Sequence, residues 1–367
     1  MKILIVGAGP AGLYLAYLLQ RRRPDWSIRI VEQNARGSTF GFGVVFSDRA
    51  LEFLRGDDPQ TYDLITTQME TWTDLTVVHR GTPVIIDGIG FAAIGRLMLL
   101  QLLQQQLAST GIVPEFENSI NSKKELQDHD LVVAADGANS FVRKTENFGT
   151  TVTPLTNKFA WFGTTNSFRT LTQTFVSNSY GSFNAHHYRH APQMSTFVVE
   201  CDAATWRQAG FQGMSESDTL KFCEGVFAGT LEGHGLVSNK SIWRNFPNVR
   251  NRRWSVGNVV LIGDALRTAH FSIGSGTRLA MEDAIALAKS LFDSENNLPE
   301  ALGAFEAVRR PIVDKLVAAA DASGGWYERF AEHMRLAPRD FAWSYIQRSG
   351  RIDAERLRRI SPGFVNG

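Results

Sequence analysis

The sequence predicts an α/β fold: a parallel-sheet domain with a mainly antiparallel sheet inserted into it and helices at the C-terminal end. Three observations carry this. Apolar runs at residues 2–6, 130–134 and 258–262 each end at a glycine or an acid, as buried parallel strands do. A glycine cluster follows the first run and opens an amphipathic helix. Between residues 151 and 254, aromatic and β-branched residues fill short extended runs of a different character.

The first run, KILIV, is followed by Gly7-Ala8-Gly9-Pro10-Ala11-Gly12, by a helix carrying Leu15, Leu18 and Leu19 on its apolar face, and by a second strand, IRIV, ending at Glu32. That order reads as a Rossmann-type dinucleotide site. Gly7 turns the chain off the strand, Gly9 lets backbone approach a pyrophosphate, and Gly12 lets the helix pack on the sheet. Pro10 and Ala11 open the helix, whose N-terminal N–H groups and partial positive charge face the phosphates. Glu32 lies twenty residues past Gly12, where an acceptor for ribose hydroxyls belongs, with Gln33 beside it.

Composition limits the function classes. A chain of 367 residues exceeds one simple core and calls for two joined domains. Its 43% hydrophobic and 20% charged residues describe an ordinary soluble protein, and a net charge of +1 offers no basic excess for nucleic acid. Cys201 and Cys223 make neither a disulfide framework nor a zinc cluster and read as small buried side chains. With a core strand at the start and no apolar run long enough to span a bilayer, the expectation is a cytoplasmic enzyme without membrane attachment.

Farther along, residues 37–46 form a glycine-rich loop whose valines and phenylalanines imply packing, with Val45 and Phe46 candidates for substrate contact. A short helix is expected at 48–54 and a hairpin about Gly81 at 76–86. A helix over 94–107 has Arg96 in its first turn, where a cation opposes the helix dipole and so answers a negative ligand. Asp136-Gly137 then ends the second buried strand, at the sheet edge where ligands collect; an ordinary Asp-Gly turn is the competing reading.

The inserted sheet is expected to use residues 159–165, 172–177, 182–188 and 194–201, with a helix at 215–231. His186 and Tyr188 share one strand face and His187 takes the other, so this histidine pair does not form a metal site and none is expected. Gly263-Asp264 ends the third buried strand, with the acid placed for ribityl or ribose hydroxyls. Gly274-Ser275-Gly276-Thr277 opens another helix whose N–H groups suit an anionic ring oxygen. A helical tail at 298–317 and closing helices at 324–360 follow, their arginines reading as a solvated face.

Residues 7–12 with Glu32, the Asp136-Gly137 pair and Gly263-Asp264, in this order, resemble the three fingerprints of the single-component FAD-dependent aromatic hydroxylases. GFGVVFS at 41–47, MSTFVVEC at 194–201, the run from Gly263 through AMEDAIALAKSL and the tail FAWSYIQRSGRI resemble the subgroup acting on salicylyl-CoA and 2-aminobenzoyl-CoA. HGLVS at 234–238 and the histidine at 186 are similar to a violacein-pathway hydroxylase of a tryptophan-derived compound. Phe271 replaces the family's usual proline and Arg278 its usual asparagine, both as in the CoA-ester subgroup. Two-part enzymes of that subgroup continue into a reductase half, whose chemistry is not expected here.

The resemblance implies a discontinuous FAD-binding domain at 1–71, 92–150 and 255–322, a substrate domain at 72–91 and 151–254, and a helical segment at 323–367. It implies adenosine ribose on Glu32, pyrophosphate near Gly9, Arg96 and Asp136, ribityl near Asp264 and the flavin ring against residues 274–276. NADH or NADPH would bind transiently, and reduced flavin would pass oxygen from dioxygen to an electron-rich ring through its 4a-hydroperoxide. The expected substrate is a small aromatic compound, a 2-hydroxy- or 2-aminobenzoyl-CoA thioester, with a tryptophan-derived indole as the alternative. His186, His270 and Tyr188 are the candidate partners of its hydroxyl or amine, and Phe271 joins Val45 and Phe46 as a substrate contact. A monomer or homodimer is expected. A flavin-dependent halogenase would need a Trp-x-Trp-x-Ile-Pro segment, which this sequence lacks.

Overall fold

Strand register is what brings the three fingerprints together. In the computed structural model, which describes residues 1–47, 50–295 and 297–367, Lys2–Val6 pairs in parallel with Ser27–Val31 on one side and Leu131–Ala134 on the other. Val259–Leu261 continues the sheet in parallel and Ser255–Val256 closes it antiparallel. Val31, Val6, Ala134 and Leu261 are aligned in register. The residues after them therefore leave along one sheet edge, and the N–H groups of Gly7, Ala135 and Ile262 donate to the last carbonyls of Val31, Val6 and Ala134 at 2.8, 2.8 and 3.0 Å.

Residues 3–6, 131–134 and 259–261 of these strands are apolar throughout because helices cover the sheet. Pro10–Arg22 packs against Gly276–Asp293 and Arg96–Ala108. Its approach depends on Gly12, where a Cβ would collide with the Gly7 carbonyl oxygen. Among the described residues, a larger sheet runs in the order Leu236–Val237, Thr150–Thr164, Met194–Cys201, Gly181–Ala191, Leu171–Asn178, Leu75–His79, Thr82–Ile86, with Arg244–Asn251 also paired to Thr150–Thr164. The hairpin enters it through a parallel pairing of Leu75–His79 with Leu171–Asn178, so this sheet is mainly rather than wholly antiparallel.

A small third sheet joins Gly43–Ser47, Phe91–Gly95 and Glu70–Trp72. It corrects the expected start of one helix: Ile94 and Gly95 pair with Val44 and Gly43, so the ladder claims them and the helix begins at Arg96. The helix expected at 48–54 begins at Glu52, and Asp48 lies outside the described residues. The helix expected at 215–231 breaks at Phe227, and the tail expected to stop at 317 runs as one helix, Leu298–Tyr327, through Pro311.

The C-terminal helices are bound to the inserted sheet by aromatic packing. Phe175 sits among Phe341, Phe330, Trp326 and Tyr345, with ring centroids 4.6 to 6.3 Å away. On the other face, Phe183, Phe197, Phe211 and Phe227 form a separate core with Ala203–Gln208 and Glu216–Val226 beside it. Among the described residues, no helix is long and apolar enough to cross a membrane.

Candidate active site

Three helices begin at one cavity of about 290 Å³, and none has a side-chain cap. Pro10–Arg22 follows Gly9, Arg96–Ala108 follows Gly95, and Gly276–Asp293 follows Ser275. Uncapped starts leave N–H groups and partial positive charge directed at whatever lies in front of them. A Cβ at Gly9 or at Gly276 would meet nothing within 4 Å, so the backbone borders open space at both ends of the cavity lining. Gly9, Pro10 and Ala11 line it at one side, and residues 274–277 at the other.

The charges around this cavity are arranged for a long ligand with anionic and hydroxyl groups. Arg96 lines it, and its guanidinium has no hydrogen-bond or ion-pair partner among the described residues. Burial pulls its pKa down, opposed by Asp264 and Tyr188. Asp264 is exposed to the cavity, and the surrounding protein pushes its carboxyl pKa up, with Arg267 and Arg96 opposing. Glu32 and Gln33 lie outside this cavity lining: the Glu32 carboxylate accepts from the N–H groups of Ala8 and Asn34, each at 2.9 Å, and Gln33 is exposed. Gly263, which presents Asp264, is anchored from behind: Asp283, fully buried, accepts from the Gly263 N–H at 3.0 Å, from Arg267 at 2.6 Å and from Arg309 at 3.2 Å.

Asp136 occupies a different place from its neighbours. Ala135 and Gly137 line the cavity, whereas the Asp136 carboxylate accepts from the Val142 N–H at 3.1 Å and its Oδ1 is buried without a partner. The acid holds the turn that presents Gly137, and its pKa is raised by burial. Gly7 and Gly12 likewise shape the turn and the helix packing and do not line the cavity.

The inserted sheet lines the rest with Phe159, Trp161, Leu171, Gln173, His186, Tyr188 and Phe246; Phe271 comes from the turn Phe271–Ile273 and Tyr345 from a C-terminal helix. His187 faces away, packed on Phe168 and Phe197, as strand alternation requires. Tyr188 lines the cavity but its hydroxyl donates to the Gly43 carbonyl at 2.9 Å, tying the sheet to the loop. His186 is buried, its Nε2 3.4 Å from Glu200 Oε2, and its Nδ1 is accessible without a protein partner among the described residues. Burial, with Arg348 second, pushes its pKa down to about 3, so the imidazole is neutral.

Three expectations are corrected here. His270 does not reach the cavity: it lies behind Phe271, ring centroids 4.3 Å apart, with Nδ1 2.8 Å from Ser272 Oγ. Phe46 is 1% exposed and belongs to the nucleotide-domain core, because neighbours on a strand alternate faces and Val45 takes the cavity side. The C-terminal arginines are not all a solvated face. Arg348 lines the cavity, donates to the Ser272 and Tyr345 carbonyls at 2.8 Å each, and lies 3.8 Å over the Tyr345 ring. Tyr345 and Arg348 lie in the tail FAWSYIQRSGRI, which pointed to the subgroup but not to the cavity, and Gln173 carried no local sequence signal. Among the described residues, no group of three or more metal-ligating side chains is assembled.

The uncapped helix starts, the unpaired Arg96, the cavity-facing Asp264 and the open backbone at Gly9 and Gly276 fit FAD in its ribose, pyrophosphate and ring parts. Comparison with known proteins agrees in kind. Residues 101–320 match the FAD binding domain family, and residues 5–47 match the NAD(P)-binding Rossmann-like domain. The chain is 42% identical to a Streptomyces salicyloyl-CoA 5-hydroxylase, over 95% of this chain and 70% of that protein. It is 36% identical to the protodeoxyviolaceinate monooxygenase of Chromobacterium violaceum, over 95% of this chain and 94% of that one. A 3-hydroxy-4-methyl-anthranilyl-(aryl-carrier protein) 5-monooxygenase from Streptosporangium sibiricum is 37% identical, over 90% of each chain. The crystal structure of P. aeruginosa PqsL in complex with 2-aminobenzoylacetate has the same fold, with TM-score 0.69 and 19% identity over 94% of this chain and 99% of that one.

Proposed function

Because the chain belongs to the FAD-dependent aromatic-ring monooxygenases, we propose that its substrate is a benzoyl thioester with an ortho hydroxyl or amino group, first of all 2-hydroxy- or 2-aminobenzoyl-CoA. The observation that carries this reading is an aromatic cavity wall containing a neutral imidazole, His186, whose Nδ1 has no hydrogen-bond partner among the described residues. A ring hydroxyl or amine is the complement of that acceptor. Two thioester-acting enzymes among the relatives, one on a CoA ester and one on a carrier-protein ester, support the carboxyl-end assignment.

When bound, FAD takes electrons from NAD(P)H and supplies activated dioxygen to the ring. The chain's own work is orientation and exclusion of water. Arg96 and the helix start after Gly9 would hold the pyrophosphate, Glu32 and Asp264 the ribose and ribityl hydroxyls, and residues 274–277 the ring. Phe271, Tyr345 and Val45 would confine the aromatic substrate, and His186 would accept from its hydroxyl or amine, raising electron density para to it. General-base help of this kind contributes about 10²–10⁴-fold in rate.

An indole-derived substrate is the second reading, favoured by the 36% identity to the violacein-pathway enzyme over 95% of this chain. The deciding experiment feeds the FAD-loaded protein benzoyl-CoA esters, the free acids and tryptophan derivatives, and measures hydroxylated product per NAD(P)H consumed. Coupled turnover of 2-hydroxy- or 2-aminobenzoyl-CoA is the expected result. Equal turnover of the free acids, or preference for an indole, would displace the thioester reading.

A further inference from the structure

His186 has one nitrogen on the cavity side and the other on a buried carboxylate. Register sets Val198 opposite His186, and Glu200 follows two residues later on the same strand face. Glu200 Oε2 lies 3.4 Å from His186 Nε2, and neither atom has a hydrogen bond among the described residues. The other carboxylate oxygen of Glu200 is fixed by Asn157, whose amide donates to it at 2.9 Å and to the Tyr327 carbonyl at 2.8 Å. The His186 ring is stacked on Tyr327 at 4.8 Å and meets Phe271 edge-on at 5.2 Å, so its plane is held on both sides.

We propose that Glu200 is a positioning residue: it accepts the Nε2–H of His186 and so keeps Nδ1 as the acceptor that faces the substrate's hydroxyl or amine. The proposal deepens, and rests on, the reading of His186 as the substrate's partner. In the step concerned, the substrate's O–H or N–H proton passes to Nδ1 and the bonding pair stays on the substrate heteroatom. The imidazolium so formed keeps its Nε2–H on Glu200 until Nδ1 returns the proton. Contacts of 3.4 Å commonly shorten when the reacting complex forms. Without such a partner, an imidazole this deeply buried is a poor base. Burial raises the Glu200 pKa, with His270 and Asn157 opposing and Glu328 adding; Arg348 is the charge that bears on His186, and the neighbouring His187 and His270 are held neutral by burial.

The test reads the tautomer before any substrate is added. In the FAD-loaded protein with ¹⁵N-labelled histidine, the His186 signals, assigned by their loss in His186→Gln, are expected to show Nε2 protonated and Nδ1 bare. Glu200→Gln, whose amide donates where the carboxylate accepted, should shift the proton to Nδ1; Glu200→Asp should leave it on Nε2. Product formed per NAD(P)H with 2-hydroxybenzoyl-CoA should then fall at least about tenfold in Glu200→Gln, with partial recovery in Glu200→Asp. A wild-type His186 protonated on Nδ1, or a tautomer indifferent to Glu200→Gln, overturns the role of Glu200 while leaving His186 as base in place. A tautomer that follows Glu200 while coupling stays full in both Glu200→Gln and His186→Gln overturns the base reading and this proposal together. Should Glu200→Gln lose FAD, the wild-type and Glu200→Asp tautomers decide alone.

Discussion

Replacing Arg96 by methionine should have opposite effects on the FAD-free and FAD-bound protein. In the FAD-free state this guanidinium stands at a helix start, where the dipole already presents positive charge, and no carboxylate pairs with it among the described residues. Its lowered pKa records a charged form that the fold disfavours, so removing the charge relieves a cost; the loss of attraction for Asp264 takes back part of the gain. If it holds the pyrophosphate as proposed, it would supply charge-assisted hydrogen bonds in the bound state, each about 1.5–3 kcal/mol, or about 10–150-fold in affinity. The assay is a titration of stripped protein with FAD, followed by flavin fluorescence, beside a denaturant unfolding curve of the same stripped protein. Arg96→Met should weaken FAD binding by about 10–150-fold and leave the FAD-free unfolding midpoint equal or higher. Affinity within about twofold of wild type, or a large loss of FAD-free stability, would show that Arg96 is a structural cation instead.

Asp283→Asn should cost about 3–5 kcal/mol, roughly 4–7 °C in Tm for a chain of this length, because Arg267 would be left buried against a neutral group and Arg309 would keep only Glu282; an unchanged melting curve would refute the anchoring of the Gly263 turn. His187, buried with its Nε2 2.9 Å from Thr174 Oγ1, has its pKa pushed down to about 3, so the folded protein holds it neutral while the unfolded chain protonates below about pH 6.5. Its contribution is therefore full above that pH and falls as pH drops, by up to about 2 kcal/mol at pH 5. The stability difference between wild type and His187→Gln should shift by that amount between pH 7.5 and pH 5, and a constant difference would mean the histidine titrates normally.

The nucleotide half was legible because its signals are local. Gly7, Gly9 and Gly12 sit within one turn and helix start, and the strands ending at Val6, Ala134 and Leu261 are continuous apolar runs whose register follows from parallel pairing. The substrate end was legible only by strand parity, which separated His186 and Tyr188 from His187. What escaped depends on distant packing. Arg348 reaches the cavity because a C-terminal helix docks on Phe175; the tail FAWSYIQRSGRI that contains it carries a family resemblance but no sign that this arginine lines the cavity. His270 was misplaced because a turn, unlike a strand, has no periodicity to say which side chain points inward, and Phe271 takes that direction. The glycine-rich composition of residues 37–46 hides the strand Gly43–Ser47, whose alternation sends Phe46 to the core and Val45 to the cavity. The Glu200–His186 contact needed the register of two strands, which their sequences alone do not fix.

The most direct test of the central claim follows the oxygen atom. The FAD-loaded protein, given NADH or NADPH and 2-hydroxybenzoyl-CoA under isotopically labelled dioxygen, should yield a dihydroxybenzoyl-CoA whose new hydroxyl, para to the first, carries one labelled oxygen. Oxidation of the nicotinamide that yields only hydrogen peroxide with every aromatic compound offered, or a new hydroxyl whose oxygen comes from water, would contradict it.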